Sequence, residues 1–436
     1  MAPQALAGNE RIRGCDDRAA ERAGAASAPV RSLVPGARAR APRIALLDGL
    51  RGLFLVLMLL NHLTFSGGAA LGWLNYSHLA FIESAQGFIF LSGLLVGLVY
   101  MRSFERQGLF PATRRLGRRA LQLYGWHLSL VLGVLVLSRL IEGSWAAWGA
   151  WLGHLYDSGT AYAVAAAGLL YQPTFMDILP QYIVYLLISP AVLYLVATGR
   201  LWLVAALSLS AWLLVQLGTH LPLLTKVEAA LRYGGTDLVL RAHFNPLAWQ
   251  IVFVPGVVVG AMTVRGDFPT DRLFSAERIG WLRLALAMLG FFLVWRLAFL
   301  VGWVEPPVLE RFQAFERRNE FGPVYLLSFL AALYAAGWLL LADAHAPGRP
   351  AATGSRWLQA MLHHRFLLLI GRHALPVYGF HVLLVYGLKL ADAQLGGLGD
   401  PWSSLLGLGS IVALAIPALL AERLQLLRAP AAATVG

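Results

Sequence analysis

Apolar runs of about twenty residues recur along the chain, separated by short segments that hold most of its arginines. Wound as α-helix at about 1.5 Å per residue, such runs match the roughly 30 Å hydrocarbon core of a bilayer. The alternating ten-residue pattern of outer-membrane barrels does not recur, so helices must satisfy the backbone groups that lipid cannot. The pattern predicts an all-α, polytopic integral membrane protein of about ten transmembrane helices. We place them at 44–65, 79–101, 120–141, 178–198, 201–218, 247–264, 279–303, 321–343, 366–390 and 403–422. Residues 1–43 are rich in Ala, Arg, Pro and Gly without helical periodicity and read as a disordered basic tail. Residues 44–428 then form the membrane domain and 429–436 a second, short tail.

Composition supports this division: 58% of residues are hydrophobic and 13% charged, against roughly a quarter charged in soluble domains. The net charge of +12 would suggest a nucleic-acid partner in a soluble chain. Here its distribution follows topology instead. With the N-terminus inside, the inner segments hold 23 Lys and Arg and the outer ones eight, which places both termini in the cytoplasm. Four more, Arg51, Arg283, Arg296 and Arg372, fall within spans. The single cysteine, Cys15, excludes an intramolecular disulfide or a cysteine metal site.

Two outer segments are long, 142–177 and 219–246, and the first carries Trp145, Trp148 and Trp151 at helical spacing before His154. Such a row suits an interfacial aromatic belt, or a stacking platform for sugar rings. Gly93 with Gly97, and Gly256 with Gly260, are small-x-x-x-small pairs that let helices approach closely. His363 with His364, and His373 with His381, invite a metal reading, but no carboxylate or cysteine completes either set, and we assign no metal.

Chemistry concentrates in the first span. Only the nine residues Gly52 to Leu60 separate Arg51 from Asn61, a stretch of roughly 13 Å and less than half of the hydrocarbon core. Part of the set Asp48, Arg51, Asn61 and His62 therefore lies within the membrane, where ionisable groups are costly and face cavities or partners. Arg51 and His62, eleven residues apart, fall about 20° past eclipsed on one helix face and roughly 16 Å apart along the axis. They suit the two ends of one channel. The plainer alternative pairs a snorkelling Arg51 with Asp48 and leaves His62 as a core histidine.

The Arg-x10-His spacing, followed by Phe88-Ile89-Phe90-Leu91-Ser92-Gly93, resembles the type 3 family of membrane acyltransferases. Within it, the stretch from Leu47 to Tyr100 is similar to OpgC-type proteins, which succinylate osmoregulated periplasmic glucans. So are Gln172-Pro173, Asp177-Ile178-Leu179-Pro180, Phe244-Asn245-Pro246 with Trp249-Gln250, and Gly371-Arg372-His373. Gln86, where an acidic residue is expected, and Leu94, where an aromatic is usual, depart from the pattern.

The resemblance implies an inner-membrane enzyme that takes an acyl group from cytoplasmic acyl-CoA, a co-substrate rather than a bound cofactor, to a hydroxyl of a periplasmic glucan. Arg51 then pairs with a CoA phosphate and His62 is the general base that removes the sugar proton. Arg372 serves the donor, including the distal carboxylate of a succinyl group. Glu83, Asp177, Asn245, Trp249 and Gln250 are candidates for the acceptor sugar, although helix capping accounts for Asp177 and Glu83 and membrane anchoring for Trp249. Asp48 and Asn61 support the site. The implied partners are acyl-CoA, the glucan and the bilayer, with glucan-synthesis proteins or a second copy left open. The competing readings are an O-acetyltransferase of a lipid-linked or surface polysaccharide and a proton-coupled transporter using His62.

Overall fold

The computed structural model describes residues 44–71, 81–157, 159–232, 240–241, 243–345 and 350–428. Both expected tails lie outside them. The described residues are helical, with one isolated parallel bridge between Tyr171 and Arg241. Among the described residues, nine helices are long and apolar enough to cross a membrane, and up to ten if a bent pair counts as one span. The fold is therefore an all-α polytopic membrane protein.

In chain order, α1 spans Ala45–His62, α2 Ser84–Gln107, α3 Leu109–Leu140, α4 Ser144–Leu152, α5 Ile178–Ala197, α6 Leu201–Gln216 and α7 Leu221–Arg232. They are followed by α8 Pro246–Arg265, α9 Ile279–Leu300, α10 Pro306–Glu316, α11 Pro323–His345 and α12 Pro350–Leu362. The chain closes with α13 Arg365–Arg372, α14 Ala374–Gln394, α15 Trp402–Ala413 and α16 Ala415–Arg428.

Glycines set the closest approaches. A Cβ on Gly93 or Gly97 would collide with the carbonyls of Phe253 and Val257 on α8. One on Gly256 or Gly260 would collide with those of Phe90 and Leu94 on α2. The two small-residue pairs expected from sequence thus face each other, and α2 and α8 pack backbone to backbone. A third contact of this kind joins α1 to the end of α12 and to α13, where Gly49, Gly52 and Gly371 abut the carbonyls of Leu362, Leu367 and Asp48. By contrast α9 turns Trp281, Leu284, Phe291 and Val294 outward, as lipid requires of a peripheral span.

Outside the helices, Asp392 near the end of α14 accepts from Ser66 N (3.0 Å), Ser66 Oγ (2.6 Å) and Leu398 N (2.7 Å). Asp400 accepts from Ala70 N and from the hydroxyls of Ser403 and Ser404. The chain leaving α1 is thereby fastened to the α14–α15 connection.

Three expected spans need correction. The one at 366–390 is two helices: the chain breaks at His373, so α14 alone is long enough to cross. Beyond 201–218 the helix bends by 75° into α7. The third begins well before residue 120, because α3 absorbs the Arg114–Arg119 cluster into its first turns, where Arg115 donates to Ser103 Oγ (3.1 Å) and Arg119 to Gln122 (2.7 Å).

Candidate functional site

Helix α1 ends at His62, and its last turn opens into a cavity of about 340 Å³, within the usual range for small-ligand sites. Five further segments complete the wall: the start of α2, the 174–178 approach to α5, the 243–244 approach to α8, Arg296 of α9, and Arg318 with Tyr325 around α11. His62, Asn61, Glu83 and Asp177 all line it. Asn61 neighbours His62 and points elsewhere on an ideal helix, yet the cavity wraps the helix end and reaches both.

Two contacts fix the His62 imidazole. Its Nδ1 lies 3.0 Å from Nε2 of His381, a fully buried residue of α14. Its ring stacks on Phe175 with centroids 4.0 Å apart and planes 30° apart. Phe175 sits at φ 70°, a left-handed conformation that costs a non-glycine residue of order 1–3 kcal/mol and persists only where its surroundings enforce it. The enforcement comes from neighbouring backbone and tyrosines. Tyr378 Oη donates to Phe175 O (2.7 Å), Tyr386 Oη to Thr174 O (3.1 Å), and Thr174 N–H to Trp151 O (3.0 Å). Trp151 also packs edge-on against Phe175 (5.1 Å).

The charges of the cavity are arranged in pairs. Arg318 grips both carboxylate oxygens of Glu83 through Nε and Nη2, the latter at 3.1 Å, a bidentate geometry that is among the stronger hydrogen-bonded pairings. Arg296 meets Glu316 at 3.0 Å and lies over the Phe81 ring (4.7 Å). Asp177 occupies the N-cap position of α5, but its carboxylate makes no capping bond. Burial pushes its pKa up to about 7, with Glu83 reinforcing the shift and Arg318 and Arg241 opposing it. His243, also on the cavity, is held below the ordinary imidazole range by burial and by Arg241 and Arg318.

At the opposite end of α1 stand Arg51, Asp48 and Arg372. Arg51 lies 5.8 Å from the Phe88 ring centroid, and its Nε has no hydrogen-bond partner among the described residues. Arg372 approaches Asp48 at 3.9 Å. A second, very small cavity of about 10 Å³ lies between the two ends, lined in part by Phe88, Ser92 and Tyr182, and it shares Ile178 with the large one. At that size it admits little more than one water.

Several site residues expected from sequence sit elsewhere. Trp249 is fully buried, donates from Nε1 to Asn319 O (3.2 Å) and packs on Phe244 and Phe321. Gln250 exchanges two 2.7 Å hydrogen bonds with Ser208. Asn245 caps α8, accepting from Leu247 N–H at 3.0 Å, and its own N–H donates to Asn319 O at 2.8 Å. None of the three lines the cavity. Trp249 and Asn245 tie the Arg318 loop to the start of α8, where a buried indole N–H needs such a carbonyl, and Gln250 ties α8 to α6. Arg372 is likewise far from any acyl group at His62, because the fourteen residues from Asp48 to His62 span about 21 Å of helix. The Trp row is divided: Trp145 is exposed, whereas Trp148 donates to Tyr386 O (2.8 Å) and Trp151 supports Phe175.

Sequence reasoning missed His381, Phe175, Arg318 and Arg296 as members of the site. His381 had been grouped with His373, which instead faces Glu422 at 3.8 Å. A histidine deep in an apolar span after Pro376 was the available signal.

A family model described as OpgC protein matches residues 43–426, and the chain belongs to that family. No curated protein and no solved structure matches it significantly.

Proposed function

Starting from an OpgC-type membrane acyltransferase, we propose that this chain moves a succinyl group from cytoplasmic acyl-CoA to hydroxyls of a periplasmic glucan across the bacterial inner membrane. One observation carries the reading: His62 opens on a cavity lined by Glu83, Asp177 and Arg318, while Arg51 stands eleven residues back on the same helix. Both termini are then cytoplasmic, and the Arg51 end faces the donor.

Each group has a task. Arg51, assisted by Arg372 through Asp48, meets a CoA phosphate, and roughly 16 Å of helix matches an extended pantetheine arm. The arm enters between Phe88 and Ile178, which must move aside for it. Glu83 and Asp177 hydrogen-bond the acceptor sugar, with Phe175, Phe244 and Tyr325 supplying apolar faces. His62 takes the hydroxyl proton as the sugar oxygen attacks the thioester carbonyl, and returns it to the departing thiolate. Asn61, on the same cavity, supports the developing oxyanion.

For a succinyl donor, a cation on the cavity is Arg318, whose Nη1 takes no part in its grip on Glu83. An acetyl donor is the second reading, because Arg318 and Arg296 each already face a carboxylate and a neutral acyl group needs no further cation. Purified protein in lipid nanodiscs, given neutral glucan with succinyl-CoA or acetyl-CoA, should yield products heavier by succinyl and negligible acetyl product by mass spectrometry. Preferential acetylation would move the assignment to the second reading. Transfer from neither donor, with glucans from producing and deficient cells equally modified, would end both.

A further inference from the structure

The His62 reading leaves the second imidazole of the site unexplained. His381 is fully buried on α14, so its place in an apolar span costs free energy that packing alone would not require. No third His, Cys, Asp or Glu gathers with the two imidazoles among the described residues. A shared proton therefore accounts for the 3.0 Å contact better than a metal ion does.

Which ring holds that proton decides what His62 can do. A neutral imidazole has one N–H and one lone pair, and the hydrogen bond at one nitrogen sets the state of the other. If His381 Nε2–H donated to His62 Nδ1, the His62 proton would sit on Nε2 and the ring could accept nothing from substrate. If His62 Nδ1–H donates to His381 Nε2, the lone pair of His62 lies on Nε2, the nitrogen left for the cavity. Only the second arrangement makes a base.

We propose that His381 is the positioning residue of His62: its Nε2 accepts from His62 Nδ1–H and so fixes the tautomer and ring orientation that general-base chemistry needs. This rests on the general-base reading above. During transfer His62 Nε2 gains the hydroxyl proton, the sugar oxygen bonds the acyl carbon, and the C–S electron pair leaves on sulfur. The thiolate then takes the proton back from Nε2. Throughout, the Nδ1–H stays bonded to His381, which spreads the charge of the transient imidazolium without leaving its own proton. In soluble hydrolases a carboxylate does this work; a neutral imidazole does it here without placing a permanent anion in the span. The same helix carries Tyr378 and Tyr386, which hold the Phe175 platform under the other face of His62. One element thus sets both the plane and the tautomer of the base.

The test compares replacements of His381 that differ in what they offer His62 Nδ1. Gln can bring an amide oxygen to the place of Nε2, Asn is too short to reach it, and Leu has no acceptor. For folded, monodisperse protein, kcat should fall on the order of 100-fold in His381→Leu and His381→Asn and stay within about tenfold of wild type in His381→Gln. KM for donor and acceptor should change less than about twofold, since no substrate contact is lost. In a His62→Ala background, His381→Asn should cost nothing more. The polar Asn and Gln variants carry the comparison should the Leu variant not fold. Equal damage by Gln and Asn, a loss carried by KM, or wild-type kcat in His381→Asn would overturn the proposal. If His62→Ala itself turns over normally, the general-base reading fails; if it is dead while His381→Asn is normal, only the positioning role fails.

Discussion

The two ends of α1 solve opposite problems with the same helix. At the Arg51 end, Gly49 and Gly52 let α12 and α13 approach until backbones touch, and Arg51 Nε has no hydrogen-bond partner among the described residues. At the His62 end the helix stops short, six segments stand back from one another, and the charged groups meet in pairs across the cavity. Close packing excludes water and leaves a cation available to an incoming anion. The open end has room for a small ligand and holds its charges in place, because an unpaired charge beside an apolar wall is expensive. The difference teaches where, on the proposed function, each substrate would act: the donor would supply a missing partner, and the acceptor would enter a site whose cations already face carboxylates.

His62→Ala breaks this contrast most severely. It should lower kcat by roughly 1,000-fold, within the usual span for loss of an acid–base group, while folded yield stays near wild type. Steady-state kinetics alongside size-exclusion profiles check both halves, and retention of kcat within tenfold would remove His62 from the chemistry.

Arg51→Ala tests the other end. Losing a charge-assisted contact of about 1.5–3 kcal/mol should raise KM for acyl-CoA by roughly 10- to 150-fold, with kcat and the acceptor KM little altered. An increase in acceptor KM instead would mean that the two ends do not divide the substrates.

The smallest effect sharpens the boundary of the open end. Trp249→Phe removes the Nε1–H that Asn319 O accepts and should cost about 1 kcal/mol of stability, seen as a lower melting midpoint, without changing the glucan KM. A several-fold rise in that KM would return Trp249 to the sugar site.

How much of this could be read from the chain depends on how far apart the partners lie in sequence. The all-α membrane fold follows from apolar run length, and the mutual glycine faces of α2 and α8 follow from four-residue spacing. The Arg51–His62 relation is likewise a property of one helix, fixed by 3.6 residues per turn. His381 joins His62 across 319 positions, and Arg318 joins Glu83 across 235. No local periodicity encodes such meetings. Arg318 reads as one of the few outer basic residues, a topology marker, although it lines the cavity together with Arg296. Trp249 and Gln250 showed the converse: polar and aromatic side chains in a distinctive block suggested ligand contacts, whereas buried N–H and amide groups required protein acceptors of their own.

The fastening of residues 66–70 to Asp392 and Asp400 also has a meaning in time. The chain is made from its N-terminus, and His62 leaves the ribosome long before the residues that orient it. At about 5–20 residues per second, the 319 positions to His381 take roughly 16 to 64 s. Throughout that interval α1 can already lie in the bilayer, with its imidazole lacking the contact to α14. The Asp392 and Asp400 fastening is completed later still, after α14 has emerged. A nascent chain that has not yet reached α14 thus carries His62 without the imidazole that contacts it.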